Sequence, residues 1–320
     1  MEIFSHYLQL GIDGADGFIN NSPSLKKHNT FITTTTLGVY YMKQVLASLA
    51  LALIASSSFA YDAQIDTGFS YLDRDDDITD AEGQFDLKGT FYFNPVIVKN
   101  APVNEAACLG HNSNASLSYT YNYWDSKTLS DGLGNSISQE SKAHHIGAGI
   151  EYFVEQFYLN GQVGFRQLQN EIKIQSALGN NKHKEDYDVT TYRALVGYMP
   201  ISNLLLATGI DGYQGDEDND DNRFALAAKY VAPVGQGQFI NLEAEGAWGD
   251  VDTINLAADY YFDPAFSFGL AYNIEDDGDE DIDFFSVRSK YFFSPNFAVG
   301  GAVGFGDDIQ GFNLNATLRF

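Results

Sequence analysis

Hydrophobic and polar residues alternate along most of the chain after residue 60. The run from Gly311 to Phe320 is typical: its even positions are apolar and its odd positions are small or polar. A period of two places successive side chains on opposite faces of a strand. The pattern predicts strands with one apolar face and one polar face.

Fourteen segments carry this alternation, most of them 10–12 residues long. A tilted membrane strand needs about that length, whereas strands of soluble sandwiches more often have about 5–6 residues. We predict an all-β fold, a transmembrane antiparallel up-and-down β-barrel of fourteen strands, with twelve or sixteen strands as alternatives. The predicted strands are residues 62–72, 83–93, 114–124, 142–153, 157–168, 187–198, 204–213, 222–231, 238–248, 251–262, 266–275, 282–293, 297–306 and 309–320.

The connections between these segments alternate in kind. Tight turns, several with proline, follow the even-numbered strands, and longer or more charged links follow most odd-numbered ones, at 73–82, 125–141, 169–186, 214–221 and 276–281. Short periplasmic turns and long extracellular loops are typical of outer-membrane barrels. The connection 94–113 is long but falls on the short-turn side. It could be a short periplasmic helix, a plug in the lumen, or an Ala-rich turn packed against the barrel base, and we favour the turn.

Charges in the predicted strands fall on the face opposite the apolar residues. Lipid cannot solvate a charge, so this face is predicted to be the interior. This face carries seven acids and eight bases, which predicts a nearly neutral bore that contains many ion pairs. The pore-lining candidates are Asp66, Asp86, Lys88, Glu151, Arg166, Arg193, Asp211, Arg223, Lys229, Glu243, Glu245, Asp259, Arg288, Lys290 and Arg319.

Aromatic residues close the periplasmic ends of many predicted strands, often in adjacent pairs. Such residues form girdles at membrane interfaces. The predicted girdle consists of Tyr92, Phe93, Tyr152, Phe153, Tyr198, Tyr261, Phe262, Phe292, Phe293 and Phe320.

The N-terminal 60 residues do not show the strand alternation. Residues 42–60 contain Lys43, an apolar core from Val45 to Ala55, and a small-x-small site ending at Ala60. This predicts a signal peptide cleaved after Ala60, because the apolar run is too short for a membrane helix. We expect translation to begin at Met42, so that residues 1–41 are non-native, the alternative being a real, disordered extension. The barrel would occupy residues 61–320.

The net charge of -25 argues against nucleic acid as a partner. Much of it lies in predicted extracellular loops, which could concentrate cations at the mouth, or could simply be solvated or bridged to lipopolysaccharide by divalent ions. The candidate loop acids are Asp73, Asp75, Asp76, Asp77, Asp216, Glu217, Asp218, Asp220, Asp276, Asp277, Asp279 and Glu280.

Candidate metal and catalytic chemistry is sparse. Two Asp-x-Asp-x-Asp runs, starting at Asp73 and Asp216, lack the glycine and glutamate that an EF-hand requires. We expect no cofactor and no firm metal site, although the acidic loops could bind Ca²⁺ or Mg²⁺ weakly. The histidines have no catalytic spacing signature, so we expect no enzymatic activity. The single cysteine, Cys108, cannot form an internal disulfide.

The ending Leu318-Arg319-Phe320, the alternating strands, the proline turns and the segment from Phe93 to Ala107 together resemble the porin family of Gram-negative proteobacteria. Cys108 departs from that resemblance, standing where an aromatic residue is expected. The resemblance implies location in the outer membrane, insertion by the barrel-assembly machinery with Phe320 as the assembly signal, and passive diffusion of small solutes.

The function we expect is a porin-like outer-membrane channel for small hydrophilic solutes, leaning towards cations. The alternative is a non-conducting outer-membrane barrel with a structural, adhesive or ligand-binding role. Outer-membrane lipid and lipopolysaccharide are the other expected partners.

Overall fold

The alternating segments form strands in the computed structural model, which describes residues 60–131, 133–176, 179–215, 220–278 and 281–320. The predicted signal peptide before Ala60 and the segment 1–41 lie outside these residues. The strands are β1 (Ala60–Arg74), β2 (Thr79–Ile97), β3 (Asn114–Ser126), β4 (Leu129–Ser130), β5 (Ser136–Val154), β6 (Phe157–Ser176), β7 (Gly179–Ile201), β8 (Leu204–Gly215), β9 (Asp220–Gly235), β10 (Gln238–Trp248), β11 (Asp252–Asp263), β12 (Phe266–Asp276), β13 (Asp281–Ser294), β14 (Phe297–Gly306) and β15 (Ile309–Arg319).

Fourteen of these strands form one closed antiparallel barrel, as predicted. Each long strand pairs with its neighbours in the chain, the ring closes between β1 and β15, and β3 pairs with β5. Closure satisfies the backbone hydrogen-bonding groups that an open sheet edge would expose to lipid. The two-residue β4 is an extra strand that the alternation did not predict, and it pairs only with the end of β5.

The closing ladder joins the two ends of the barrel chain. Its register places Gln64 opposite Arg319 and Phe69 opposite Leu314. The carbonyl of Phe320 accepts hydrogen bonds from the backbone N–H groups of Asp62 and Ala63 at 2.7 and 3.2 Å. The last residue of the chain is therefore part of the seam that closes the ring.

The barrel has a turn end and a loop end. Two-residue turns connect strands at 155–156, 202–203, 236–237, 264–265 and 295–296, and this turn end also carries the connection 98–113. The loop end carries the connections 75–78, 127–135, 177–178, 216–219, 249–251, 277–280 and 307–308.

Five of the seven loop-end connections are shorter than the sequence predicted, because the strands continue beyond their predicted ends. The 169–186 link is mostly strand, since β6 runs to Ser176 and β7 starts at Gly179. Hairpin pairing satisfies the backbone in water as well as in lipid, so a strand can outlast its apolar alternation. The acidic residues Asp73, Asp220 and Asp276 accordingly lie at strand ends.

An apolar band covers the outer surface of the ring. Its side chains are those that alternate with the charged positions, for example Leu242, Leu256 and Phe285, which are 43%, 44% and 41% exposed. Exposed apolar side chains on every strand suit contact with lipid hydrocarbon. At the turn end, Phe262, Phe266, Tyr291 and Phe293 follow one another with ring centroids 4.9–6.2 Å apart.

The predicted aromatic girdle is only half outward-facing. Phe93, Tyr152, Tyr198, Phe262, Phe293 and Phe320 are exposed, whereas Tyr92, Tyr261 and Phe292 are buried. Adjacent residues of a strand point to opposite faces, so one member of each aromatic pair must turn inward.

Within the described part of the chain, helical structure lies in the connection at the turn end. A 3₁₀ turn covers Val103–Glu105 and the short helix α1 covers Ala106–Leu109. In the described ranges, helices long and apolar enough to cross a membrane are not found.

Candidate functional site

Charged side chains of β7 to β10 meet on the concave face of the barrel. Arg193 lies 3.3 Å from Asp211 and 3.2 Å from Glu245, and Arg223 lies 2.5 Å from Asp211. Arg193 on β7 and Glu245 on β10 are three strand spacings apart, about 14 Å along the wall at roughly 4.8 Å each. Their contact shows that these long side chains lean together across the concave side.

A second network lies nearer the turn end. Lys229 is 2.7 Å from Glu243. Arg288 donates two hydrogen bonds to the carboxylate of Asp259, at 2.8 and 2.6 Å. Arg288 also lies 3.8 Å from Glu243, which links the two pairs across β11 and β12. Gly269 makes room for this arrangement, because a Cβ there would stand 2.1 Å from a carboxylate oxygen of Asp259. Bidentate Arg–carboxylate pairs fix side-chain direction as well as charge.

The other predicted interior acids accept hydrogen bonds from neutral groups. These donor–acceptor pairs, at 2.6–3.0 Å, are Gln64–Asp66, Thr317–Asp66, Gln84–Asp86, Thr120–Asp86, Asn114–Glu151 and Tyr158–Glu151. Their carboxylates are thus positioned along the wall by amides and hydroxyls.

The remaining predicted bases stand at separate points of the same face. Arg319 donates to Gln64 at 2.7 Å and to the carbonyl of Val103 at 2.9 Å. Lys290 lies 5.6 Å from the centroid of the Phe292 ring. Lys88 stands opposite Asp66 in the β1–β2 ladder, and Arg166 stands opposite His145 in the β5–β6 ladder.

Three further carboxylates belong to this interior set. Asp221 is 3% exposed and accepts from the backbone N–H groups of Asp250 and Val251, and Glu275 interacts electrostatically with Arg223 and Arg166. Both lie near predicted strand ends that the sequence analysis treated as loops. The third, Glu105, lies in the connection 98–113, where strand alternation gives no signal.

Residues 98–113, hereafter the inner segment, enter the turn end of the barrel. Of the three readings that the sequence left open, the favoured turn packed against the base is wrong, because the segment contacts strands around the ring. It combines a short helix with an inward path. Its contacts include Ala106 with Tyr61 and Tyr92, Val103 with Phe292 and Ala298, and His111 with Phe153 and the carbonyl of Ser202.

The buried aromatics that the girdle prediction misplaced form the seat of this segment. Tyr61 and Tyr92 pack edge to face with centroids 5.4 Å apart, and the Arg319 guanidinium lies 4.4 Å from the Tyr61 ring and 4.7 Å from the Phe292 ring. Two adjacent aromatics at a strand end were the available signal, since one of each pair had to face inward.

Glu105 joins the inner segment to the opposite wall. Its side chain accepts from the Tyr261 hydroxyl at 2.6 Å and lies 2.7 Å from the Lys229 ammonium. Burial alone would raise the pKa of Glu105, but attraction to Lys229 outweighs it, and the pKa falls below its ordinary value of 4.5. The carboxylate is therefore charged at neutral pH, and Lys229 bridges it to Glu243.

Cys108 lies on the same segment. Burial raises the pKa of its thiol to about 11, so the thiol is protonated at neutral pH. A protonated, buried thiol is a poor nucleophile and a poor metal ligand.

The acidic residues of the loop end are partly organised. Asp76 accepts from the backbone N–H groups of Ile78 and Thr79 at 2.9 and 2.5 Å; burial would raise its pKa, but these bonds hold the pKa below its ordinary value. Asp216, Glu217, Asp218, Asp279 and Glu280 lie outside the described residues. Within the described residues, groups of three or more potential metal ligands are not found, and weak Ca²⁺ or Mg²⁺ binding stays a prediction.

Known proteins resemble this chain in sequence and in fold. The family model described as "Putative general bacterial porin" matches residues 39–320. No curated protein sequence matches the chain.

Two solved structures share the barrel. The Acinetobacter baumannii outer membrane protein Omp33 has a TM-score of 0.56 and 20% identity, covering 82% of this chain and 99% of its own. The TodX deltaS2S3 mutant, a monoaromatic hydrocarbon channel, has a TM-score of 0.51 and 7% identity, covering 83% and 92%. At these identities the likeness shows the fold.

The family match, the closed fourteen-stranded ring, the apolar outer band and the charged inner face agree with one another. The protein is an outer-membrane β-barrel in contact with membrane lipid, and it belongs to the general bacterial porin family.

Proposed function

We propose that this protein is a passive channel that favours small hydrophilic cations over anions, and that it carries out no enzymatic reaction. The observation that carries the proposal is the charge of the concave face. Asp221 and Glu105 add to the seven predicted interior acids, so carboxylates outnumber the eight predicted bases. Fixed negative charge in a narrow aqueous passage raises the local concentration of cations.

The distribution of charge also supports this role. The bases Arg193, Arg223, Lys229 and Arg288 are each held by carboxylates at 2.5–3.3 Å. Asp66 and Glu151, by contrast, accept hydrogen bonds from neutral donors. A carboxylate that has no ion-pair partner attracts mobile cations more strongly than one whose charge is already compensated.

A reversal-potential measurement tests the selectivity. The purified protein is inserted into a planar bilayer between two KCl concentrations, and we expect a potential of the sign that K⁺ preference gives. The double variant Glu151→Gln, Asp66→Asn should move the potential towards zero. Glu171→Gln is the matched control, because Glu171 is a half-buried residue paired with the exposed Lys182 beyond the apolar band. Anion preference of the unaltered protein would contradict the proposal.

A non-conducting barrel is the second candidate, and the inner segment favours it, because this segment contacts the wall around the ring at the turn end. Single-channel recording separates the two candidates. Discrete current steps support the channel, and their absence under all voltages and salt concentrations supports a structural, adhesive or ligand-binding barrel.

We also propose that export and assembly follow the usual outer-membrane route. The first described strand begins at Ala60, so cleavage after Ala60 would remove only the first residue of β1 and leave Tyr61–Arg74 for the barrel. N-terminal sequencing of the membrane-extracted protein should give Tyr61 as the first residue, and a different first residue would contradict this proposal. The turn end would then face the periplasm, and the loop end would face lipopolysaccharide.

A further inference from the structure

Few contacts attach the inner segment to β9 and β11, which form the far wall of the barrel as seen from β2 and β3. Glu105, its only carboxylate, is 1% exposed and reaches Lys229 on β9 and Tyr261 on β11. The carbonyl of Val103 accepts from Arg319 at 2.9 Å, and the N–H of Val103 donates to the carbonyl of Pro264 at 2.8 Å. The far-side attachment is thus mainly one buried ion pair and a few hydrogen bonds.

The apolar contacts of the segment are modest by comparison. Ala106 packs with Tyr61, Tyr92 and Val96, and Val103 packs with Phe292 and Ala298. Alanine and valine bury little area, and apolar burial stabilises in proportion to area. A permanent stopper would be expected to bury larger side chains.

On the side of β2 and β3, hydrogen bonds of an asparagine side chain hold the inner segment. Asn112 donates to the carbonyls of Asn94 and Pro95 at 3.1 and 3.3 Å, beside the ends of β2 and β3. Inside the segment, the N–H groups of Gly110 and Asn112 donate to the carbonyls of Ala106 and Ala107, both at 2.9 Å. The helical turn is therefore internally bonded, and Asn112 attaches it to the end of β2.

We infer that the inner segment is a gate at the turn end of the channel, and that Glu105, Lys229 and Tyr261 form its latch. The inference rests on the proposed channel function. In the latched state the segment crosses the passage, and when the Glu105–Lys229 pair separates, the segment swings away from β9 and β11. Lys229 keeps its partner Glu243 at 2.7 Å in either state, so release leaves no buried ammonium without a carboxylate.

Two variants test the latch in single-channel recordings. Glu105→Gln keeps the size of the side chain and can still accept from Tyr261, but it removes the ion pair. Loss of a buried pair should raise the ratio of open to closed time at least about tenfold. Glu171→Gln is the control of equal chemistry on an ion pair far from the inner segment, with the exposed Lys182, and it should leave the ratio unchanged.

The second variant locks the gate. Val103→Cys with Ala265→Cys, in a Cys108→Ser background, pairs two positions at the point where the Val103 N–H meets the carbonyl of Pro264. Oxidation, checked by mass spectrometry, should abolish the open state, and reduction should restore it.

The outcomes separate this inference from the proposed function. Equal open-to-closed ratios for the unaltered protein and Glu105→Gln, or unchanged conductance of the oxidised double-cysteine variant, would overturn the gate and leave the channel standing. If the unaltered protein, Glu105→Gln and the reduced double-cysteine variant all fail to conduct although folded by heat-modified electrophoretic mobility, the channel itself is overturned.

Discussion

The ammonium group of Lys229 lies between the carboxylates of Glu105 and Glu243, at 2.7 Å from each. Replacement by methionine would leave two buried carboxylates facing one another. Breaking a buried pair by removing one partner is strongly destabilising, so we expect Lys229→Met to lower the free energy of unfolding by about 3 kcal/mol.

The comparison is with Lys173→Met, whose ammonium bridges Glu140 and Glu171 at the surface, with the lysine side chain 44% exposed. Exposed pairs contribute much less to stability than buried ones, because water and salt screen them. Denaturant unfolding in detergent, followed by electrophoretic mobility, measures both variants. If both variants lost the same free energy of unfolding, Lys229 would be no better shielded from water than Lys173.

Closure by the inner segment should depend on pH through Glu105. Lys229, Glu243, Tyr261 and Asn104 face this carboxylate, and the net effect lowers its pKa below 4.5. A depressed carboxylate pKa stabilises the latched state above about pH 4.5, and this stabilisation is lost as the pH falls through the lower, latched-state pKa.

We therefore expect a constant open-to-closed ratio from pH 8 to pH 5 and a rise below about pH 4. The ratio of Glu105→Gln should stay flat over that acid range. If the open-to-closed ratio rose equally at acid pH in the unaltered protein and in Glu105→Gln, the titrating group would not be Glu105.

At the scale of elements, alternation identified each membrane strand because lipid enforces it on one face. It missed the strand ends beyond the membrane, for example the start of β7, which has polar residues on both faces. It also gave no information on Glu105, whose position depends on the path of a connection and on partners more than a hundred residues away in sequence. Side-chain pairing across the bore, as between Arg193 and Glu245, depends on curvature that a strand pattern does not contain.

The projecting β6–β7 hairpin should be dispensable for the barrel. Residues 179–188 of β7 pair with β6 alone, since pairing with β8 begins at Val189. Removing residues 174–181 and joining Lys173 to Lys182, which are paired in the ladder, through Asn-Gly would give a tight hairpin turn. We expect an unchanged melting temperature and unchanged conductance, because the ring closes below this point. A variant that fails to fold would show that the projection nucleates the barrel.

At the scale of the whole molecule, the seam between β1 and β15 decides whether a ring forms. The Phe320 carbonyl belongs to this seam, but its side chain is 39% exposed on the outside. Phe320→Ala keeps the backbone bonds, so we expect the refolded variant to melt like the unaltered protein. In cells, assembled protein should fall several-fold if the aromatic side chain is the assembly signal. An unchanged assembled amount would remove Phe320 from that role.

The central claim is that a water-filled passage runs through this barrel. Proteoliposome swelling in isotonic solutions of neutral sugars tests it most directly, with the unaltered protein and Glu105→Gln measured side by side. We predict swelling faster than in protein-free liposomes, decreasing as the sugar grows, and faster for Glu105→Gln than for the unaltered protein. Swelling at the protein-free rate with both proteins would contradict the claim.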